Sequence, residues 1–587
     1  MAVLNVVQSF GGLRWEMQQG NEQTASALAQ NLHLPDVVAR ILAARGITPE
    51  TAEAFLHPTL RQHLPNPLTL KDMEKAANRM ADAIQAGEPI GLMGDYDVDG
   101  ATSTAIMKMF LQENGITVYT FIPEREDGYG PNTAKMHEFK DKGCHVVATL
   151  DCGTTAFDPI AEGTKIGLDV LVLDHHDAES RLPQAYAVVN PKRLDESEDH
   201  PCRYMAAVGV VFLFTVALNT VLRNRGFYTD KRPEPNLMKY LDLVAFGTVC
   251  DVMRLRGVNR LFVKAGLKQM QKGENKGLAA LAAQVKLAEP PESYHLGYVF
   301  GPRVNACGRV GHSDLGMRLL SCQDAIQAAA LAQQLDDLNL TRRDIEAAVL
   351  LEAMEQAESR PPKDAFILVK GENWHQGVVG IVAGRLKDRY NMPVFALSIE
   401  GDEIKGSSRS VQGIDLGTLI MNALAAGILS RGGGHPMAAG FSLKKERLDD
   451  FYRYLQVHIT PEKCQSHPTT LDIDGILDIG GATPQLVQTL NLLAPFGEAN
   501  AEPCFVIKNV MISRCMPLKN GHLALTLTGR GGGYLNAIAF RAADTELGQR
   551  FMTSRDSYFH VAGTLKLDNW HGRHKVQFQV QDAANAL

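Results

Sequence analysis

The sequence predicts an α/β protein of several domains: a mostly parallel sheet with helices, a long connecting helix, a second αβ domain and a C-terminal β-barrel. Three observations support this fold class. Short apolar runs alternate with helical segments between residues 88 and 190, one helical pattern continues over 321–360, and from about residue 468 short β-type runs follow one another. Strand–helix alternation is typical of a parallel sheet, and serial short strands are typical of a small barrel or sandwich.

Composition limits the class of protein. The 587 residues are 45% apolar and 21% charged, which is ordinary for globular domains and excludes wholesale disorder. At about 150 residues per domain, three or four domains are expected. The net charge of −7 excludes a globally basic nucleic-acid binder but leaves room for a local basic groove. The nine scattered cysteines include no Cys-x-x-Cys pair, which fits a reducing compartment.

Five segments follow from the pattern along the chain. Helical, proline-interrupted patterning marks an N-terminal lead-in, and prolines end the long helical pattern. The apolar stretch Met205–Leu222 contains Thr215 and Asn219, and we expect a buried helix rather than a membrane span. The expected segments are 1–70 for the lead-in, 71–320 for the first αβ domain, 321–360 for the connecting helix, 361–467 for the second αβ domain and 468–587 for the barrel.

Acidic residues and histidines follow three predicted strands at the point where each strand ends. Because the carboxyl ends of parallel strands meet at one edge of a sheet, these side chains are expected to converge there. A further aspartate follows the apolar segment 241–246. The residues are Asp95, Asp97 and Asp99 after the first strand, Asp151 after the next, Asp174, His175 and His176 after a third, and Asp251.

So many carboxylates in one place repel each other unless cations neutralise them. Oxygen ligands with one or two imidazoles favour Mg²⁺ or Mn²⁺, and their number favours two ions. Two-metal sites of this kind hydrolyse phosphoesters. Helix N-caps and a calcium loop are the alternatives. The calcium loop is disfavoured because Ile106 stands where its final glutamate would be.

These motifs resemble those of the DHH phosphoesterase superfamily. The matching stretches are GDYDVDG (94–100), Asp151, LDHH (173–176) and Asp251, followed by GPRVNACGR (301–309), WHQGVVGIVAGRL (374–386), GSSRS (406–410) and GGGHPMAAGF (432–441). Within the superfamily, the chain is similar throughout to the bacterial single-strand-specific DNA exonucleases. The resemblance implies a DHH domain, a DHHA1 domain and an OB-fold.

The resemblance also implies roles for single residues. The metal ligands would be Asp95, Asp97, Asp99, Asp151, His175 and Asp251. His176 would lie beside the scissile phosphate, either donating to it or helping to hold a metal, and Asp174 would fix an imidazole tautomer. The group acting directly in catalysis would be Asp97, Asp99, Asp151, His175 and His176.

The expected activity is 5′→3′ degradation of single-stranded DNA to 5′-mononucleotides in repair and recombination, with two Mn²⁺ or Mg²⁺ ions. Polarity and biological role come from the resemblance alone, as do a cytoplasmic bacterial location and two partners, a single-stranded-DNA-binding protein and a helicase. No membrane association is expected. Two alternatives remain: a DHH phosphatase or short-oligonucleotide phosphodiesterase, and a metal-free DHH scaffold in a replication assembly.

Several polar stretches are candidates for substrate contacts. Arg303, Asn305 and Arg309 are candidates for gripping a terminal 5′-phosphate, and Arg125 and Tyr129 for lining the same entrance. Tyr129 could instead belong to the core. His375 is either a substrate contact or a helix N-cap.

The remaining candidates lie further along the chain. Ser408 and Arg409 could pair with a backbone phosphate, although a solvated arginine is the alternative. Gly433, Gly434 and His435 belong to a glycine-rich loop that would let the backbone approach a phosphate, with His435 as a donor, although a plain glycine turn is the alternative. Trp570, Arg573 and Lys575 cluster at a predicted hairpin, which could bind nucleic acid or simply be a charged turn.

Overall fold

The structure is a computed structural model that describes residues 2–125, 128, 130–361, 364–464, 469–553, 557–568 and 575–586. The first αβ domain is built on a five-stranded, all-parallel sheet in the order β3-β2-β4-β5-β6. Every residue of β2 and β4 is buried, as expected for central parallel strands with helices on both faces. The elements are α5 (Met73–Ala86), β2 (Ile90–Gly94), α6 (Val98–Glu113), β3 (Val118–Phe121), α7 (Thr133–Asp141), β4 (Val146–Leu150), α8 (Phe157–Lys165), β5 (Asp169–Leu173) and β6 (Ala187–Val189).

Helices complete this domain after the sheet. The longest of them, α9, has a mean hydropathy of 1.6 and is long enough to cross a membrane, but 72% of it is buried inside the protein. It is a core helix, and its amino end lies at the carboxyl edge of the sheet. The helices are α9 (Ala207–Asn224), α10 (Leu241–Cys250), α11 (Gly257–Met270), α12 (Lys276–Gln284), a π-helical turn (His295–Phe300), α13 (Gly301–Val310) and α14 (Leu315–Leu320).

One long helix, α15 (Ala325–Glu358), leads to the second αβ domain. Its 34 residues span about 50 Å. The Asp324 carboxylate accepts the Gln327 N–H at 2.7 Å and caps its amino end, and Pro361 follows its carboxyl end. The predicted connecting helix is therefore present.

The second αβ domain contains a mixed sheet in the order β10-β11-β9-β8-β7. The prediction of a loop at the glycine-rich stretch 432–434 is wrong. These glycines form the edge strand β10, with Gly433 opposite Gly440 in β11. At Gly434, φ is +155° and an added Cβ would lie 2.5 Å from the Ala438 carbonyl oxygen, so only glycine fits. The elements are β7 (Ile367–Glu372), α16 (Gln376–Tyr390), β8 (Val394–Glu400), β9 (Glu403–Arg409), α17 (Leu416–Ala425), β10 (Arg431–His435), β11 (Ala438–Lys444), α18 (Leu448–His458) and α19 (Pro461–Cys464).

The C-terminal β-strands close into a barrel. The order β14-β15-β16-β18-β17 returns to β14, and β13 adds beside β14. Alternate residues along β15 are buried, which is the two-residue period of a barrel wall. The elements are β12 (Thr470–Ile473), β13 (Gly475–Leu477), α20 (Pro484–Leu490), β14 (Phe505–Pro517), β15 (Leu523–Gly529), β16 (Tyr534–Ala539), α21 (Glu546–Thr553), β17 (Tyr558–Asp568) and β18 (Lys575–Asn585).

The N-terminal segment, expected as a lead-in, packs on this barrel. Its strand β1 (Arg14–Met17) pairs in parallel with β12, and the Trp15 indole N–H donates to the buried Asp582 carboxylate at 2.8 Å. Side chains of its first three helices share one hydrophobic core with the barrel strands. The two ends of the chain therefore form one structural unit. The helices are α1 (Glu22–Leu32), α2 (Asp36–Ala44), α3 (Pro49–Leu56) and α4 (Leu60–His63).

Candidate metal centre and nucleic-acid cleft

Two loops at the carboxyl edge of the parallel sheet bring three carboxylates together. Asp95 follows β2, Asp97 caps α6 by accepting the Gly100 N–H, and Asp151 follows β4. Each offers an oxygen within 4.8 Å of the others. Asp151 has φ +63°, a left-handed conformation that aspartate adopts more readily than most side chains. This set of three oxygens is suited to a hard divalent cation.

A second set lies beside the first and contains Asp99, His175 and Asp251. Asp99 is 1% exposed, and its carboxylate accepts the N–H groups of Ala207 at 2.7 Å and Val208 at 2.8 Å. The amino end of α9 thus holds this carboxylate, in keeping with the positive end of the helix dipole. Asp251 ends α10, so its position depends on helix packing rather than on a strand end.

The tautomer of His175 leaves a lone pair directed at the acids. Nδ1 donates to the Met205 carbonyl oxygen at 3.1 Å, which leaves Nε2 unprotonated in the neutral ring. Nε2 lies 3.3 Å from Asp151 Oδ1 and 3.5 Å from Asp251 Oδ2. Burial lowers the pKa of His175, so the neutral form is favoured. Lone pairs that face each other at these distances repel, and a cation bound between them would remove this repulsion.

The pKa values of the aspartates also indicate that cations bind here. Burial, together with the charge of neighbouring carboxylates, raises the pKa values of Asp95, Asp99, Asp151 and Asp251. Oδ2 of Asp251 is buried and accepts no hydrogen bond from the residues that the structure describes. The residues present therefore fit bound divalent cations, which would relieve the repulsion and satisfy that oxygen.

Asp174 and His176 form a hydrogen-bonded pair at these two sets, and His176 shares a third, overlapping donor group with Asp151 and His175. Asp174 Oδ1 lies 2.7 Å from His176 Nδ1, and Asp174 Oδ2 accepts the Thr154 N–H at 2.9 Å. Burial lowers the pKa of His176, but the hydrogen bond and charge of Asp174, together with the charges of Asp251 and Asp95, outweigh it and raise this pKa to about 9. His176 is half-buried, so a protonated imidazole can present its second N–H to the cleft.

Two positioning groups were not predicted from the sequence. The Met205 carbonyl fixes the His175 tautomer, and the buried Asn190 donates to the His176 carbonyl oxygen at 2.9 Å. Asn190 directly follows the last strand of the sheet. Its place at a strand end could have indicated from the sequence that it belongs to the site. Met205 contributes only a backbone oxygen, and backbone oxygens leave no residue-type signal.

Two predicted phosphate contacts have other partners in the structure. Asn305 Oδ1 accepts the Val98 N–H at 3.1 Å and thereby supports the loop that carries Asp95, Asp97 and Asp99. The Arg303 guanidinium donates to Asp336 at 2.8 Å and to the Val299 carbonyl at 2.7 Å. Arg303 therefore joins α13 to α15, which favours a structural role.

Replacing Asn305 should weaken metal binding without removing a metal ligand. Asn305→Ala loses the acceptor for the Val98 N–H, so we expect Mn²⁺ affinity to fall by about 10- to 100-fold, the range for residues that orient ligands. Isothermal titration of Mn²⁺ measures this. Asn236→Ala removes a similar cap, an oxygen that accepts the Met238 N–H at 3.1 Å, and should leave Mn²⁺ affinity unchanged. Equal affinities for both variants would contradict the assigned role.

Arginines from both αβ domains meet where the two domains touch. The Arg125 guanidinium donates to the Gly308 carbonyl at 2.6 Å, and Arg309 donates to the Gly377 carbonyl at 2.9 Å. Burial first, and then the charges of other arginines including Arg125 and Arg409, lower the pKa of Arg309 to about 10. No ion pair joins Arg125, Arg309 or Arg409 to a carboxylate within the described part of the chain. Such a set of cations is suited to phosphate.

The contact between the domains is close. At Gly377, near the start of α16, an added Cβ would lie 2.5 Å from the Arg309 carbonyl oxygen, so glycine is required for this approach. His375 is the N-cap of α16, with Nδ1 accepting the Gly377 N–H at 3.0 Å. The predicted alternative for His375, an N-cap, is therefore present, and the exposed ring still faces solvent.

Ser408 and Arg409 are successive residues of β9, so their side chains point to opposite faces of the sheet. Ser408 is fully buried, and its hydroxyl donates to the Ala439 carbonyl at 3.1 Å, so it does not face the cleft. Ser407 shares the face of Arg409 and lies 3.3 Å from Arg409 Nη1. Ser407 is therefore a neighbour of Arg409 that was not predicted from the sequence, although the two-residue period of a strand could have indicated it.

The remaining residues predicted to contact the substrate either are exposed on strands or lie outside the residues that the structure describes. Gly433 has open space where a Cβ would be, and Gly434 and His435 are exposed on the edge strand β10. Lys575 is exposed at the start of β18. Tyr129, Trp570 and Arg573 lie outside the described residues.

Comparison with known proteins matches each part of the chain. Family models match residues 89–248 ("DHH family, N-terminal domain"), 363–458 ("DHHA1 domain") and 473–582 ("RecJ OB domain"). The chain is 34% identical to the single-stranded-DNA-specific exonuclease RecJ of Dickeya dadantii, over 93% of this chain and 96% of that protein.

Solved structures give the same match. The chain resembles crystal structures of RecJ from Thermus thermophilus in complex with Mn²⁺ (TM-score 0.80, 29% identity) and with Mg²⁺ (TM-score 0.74, 28% identity). Each match covers 97% of this chain and 78% of the other.

Proposed function

Because the chain belongs to the RecJ family of single-stranded-DNA-specific exonucleases, we propose that it degrades single-stranded DNA from the 5′ end to 5′-mononucleotides, using two Mn²⁺ or Mg²⁺ ions. The observation that supports this most directly is the pair of adjoining donor sets at the sheet edge. They lie in the domain that also places arginines at its contact with the second αβ domain.

The proposed metal ligands fall into two donor sets, one for each cation. Asp95, Asp97 and Asp151 would hold one cation, and Asp99, His175 and Asp251 the other. Bound there, the cations would activate a water and neutralise charge on the scissile phosphate. The chain itself fixes the neutral imidazole of His175 through the Met205 carbonyl, and it holds Asp99 at the start of α9.

His176 is the proposed proton-bearing contact to the scissile phosphate. Its hydrogen bond to Asp174 favours the protonated ring. A protonated imidazole can donate to a non-bridging oxygen and stabilise the charge that grows there during hydrolysis. Asp174 would act through His176 by holding the ring.

The arginines would bind the end of the strand. Arg309 and Arg409 are mostly buried and have no carboxylate partner within the described ranges, so a terminal 5′-phosphate would complete their pairing. Arg125 lies 4.7 Å from the Tyr96 ring centre, at the same contact between domains. A cleft between two packed domains would admit one strand and exclude a duplex.

The biological setting is also part of the proposal. We propose a role in DNA repair and recombination in the bacterial cytoplasm, with a single-stranded-DNA-binding protein and a helicase as partners. The OB domain match supports single-strand binding by the C-terminal barrel.

One experiment tests the reaction. Long single strands labelled at the 5′ or at the 3′ end are incubated with the Mn²⁺-loaded protein, beside the corresponding duplex and dinucleotides. We expect the 5′ label to leave first as a mononucleotide, while the duplex stays intact. Prior loss of the 3′ label would contradict the polarity. Cleavage of dinucleotides alone would favour the short-oligonucleotide phosphodiesterase, and binding without any cleavage would favour the scaffold.

A further inference from the structure

An aromatic ring and a guanidinium stack at a surface that the proposed mechanism does not use. The Arg254 guanidinium carbon lies 4.8 Å from the centre of the Tyr204 ring. Tyr204 is 53% exposed, and Arg254 is exposed as well. No carboxylate of the described residues forms an ion pair with Arg254. The guanidinium is therefore held in place and yet available to an anion.

The pair is held in place from beneath by Asn259. This side chain of α11 is 3% exposed. Its amide nitrogen donates to the Tyr204 carbonyl at 2.6 Å and to the Arg254 carbonyl at 3.1 Å. One buried amide thus ties together two segments that are 50 residues apart in sequence. Because the backbone at both positions is fixed, a ligand would meet a pre-formed surface.

The pair also lies next to the metal centre. Tyr204 directly precedes Met205, whose carbonyl fixes His175. Arg254 follows Asp251 by three residues. The next residue, Leu255, donates its N–H to the Glu498 carbonyl at 2.8 Å, in the segment that precedes the barrel strand β14. The pair is therefore connected through its chain neighbours both to the metal ligands and to the contact with the C-terminal unit.

We propose that Tyr204 and Arg254 bind one nucleotide of the single strand between the metal centre and the barrel. The ring stacks on the base, and the guanidinium pairs with the backbone phosphate. Aromatic stacking beside a cation is how single strands are held without sequence preference. This inference rests on the proposed function and adds a binding position to it.

The test compares variants of both residues on long single strands. Tyr204→Ala and Arg254→Ala should each raise KM by about tenfold, while kcat changes less than twofold. Tyr204→Phe keeps the ring and should retain the wild-type KM. Arg232→Ala is the matched control, since its guanidinium lies 4.2 Å from the Phe227 ring beyond the far end of α9. It should behave like the wild type.

Two further measurements separate this role from a general loss of folding. Arg254→Ala should lower the slope of log Kd against log salt by about 0.7, the value for one phosphate of a single strand, whereas Tyr204→Ala should leave the slope unchanged. A scan of single abasic sites along the strand should find a position that weakens binding to the wild type but not to Tyr204→Ala.

The possible outcomes distinguish this inference from the proposed function. If the wild type degrades long strands while both alanine variants match Arg232→Ala in KM, salt slope and abasic profile, the nucleotide position is wrong and the exonuclease function stands. If the wild type does not degrade long strands, the proposed function itself fails.

Discussion

Asp151→Asn should abolish hydrolysis while leaving the fold and DNA binding intact. Asp151 contributes to the first donor set, and its Oδ1 lies 3.3 Å from Nε2 of His175, a member of the second. Losing one ligand of this kind should cost more than the roughly 100-fold upper range for residues that only orient ligands. Asparagine is preferable to alanine because it tolerates the φ of +63° at this position. Release of labelled mononucleotides and binding of labelled single strands measure the two properties.

The same variant should change how metal affects stability. Burial and neighbouring carboxylates raise the pKa of Asp151, so removing its charge should leave the metal-free protein as stable as the wild type or more stable. The rise in Tm on adding Mn²⁺ should shrink, because less binding free energy is gained.

Asp177→Asn is the matched control for this experiment. Asp177 follows the same histidines in sequence, but its side chain is 70% exposed and pairs with Lys192 at 3.2 Å. Hydrolysis and metal-dependent stability should stay at wild-type values. Wild-type turnover by Asp151→Asn would refute the assigned metal centre.

Arg260→Met should cause the largest loss of stability. The Arg260 side chain is fully buried in α11, and burial lowers its pKa to about 10. It donates to the carbonyl oxygens of Phe55 at 2.8 Å, Leu493 at 3.0 Å and Ala494 at 2.8 Å. One guanidinium thus joins the first αβ domain to both ends of the chain. Methionine fills similar space but removes this donor from the Phe55 and Ala494 carbonyls, while the Leu493 carbonyl keeps the Asn500 amide N–H at 2.9 Å.

The expected cost is about 3–5 kcal/mol in the free energy of unfolding, because two or three hydrogen bonds from a charged donor are lost at about 1.5–3 kcal/mol each. Thermal unfolding measures it, and limited proteolysis should reveal new cleavage near residues 490–500. Arg256→Met is the control: Arg256 is exposed and donates to a single carbonyl, that of Ala499, at 3.1 Å. Its cost should stay within about 0.5 kcal/mol. Equal stability of the two variants would show that Arg260 does not hold the units together.

The order of elements and most of the metal centre were readable from the sequence. Short apolar runs predict the parallel strands, and such strands place their carboxyl ends at one edge. Asp95, Asp151 and His175 could therefore be grouped without coordinates, since their positions depend on local pattern alone. The long connecting helix was predicted in the same way, from its composition and the prolines that follow it.

The roles of the polar residues around that centre could not be read in this way. Asn305 and Arg303 stand close together in a motif with glycines, and residue type alone suggested phosphate binding for both. In the structure, Asn305 accepts the Val98 N–H and Arg303 donates to Asp336. Each partner is far away in sequence, so it becomes a neighbour only when helices pack.

The sequence alone determined which residues end the strands and which chemistry they can perform, because strand formation and ligand type are local properties. Tertiary structure alone decided that β1 pairs with β12 from the opposite end of the chain, that Arg260 joins three segments, and that Asn259 brings Tyr204 to Arg254. Apart from the bond of Asn259 to the Arg254 carbonyl, those contacts depend on hydrogen bonds between groups separated by 55 to several hundred residues, and buried backbone groups of any residue type can accept them.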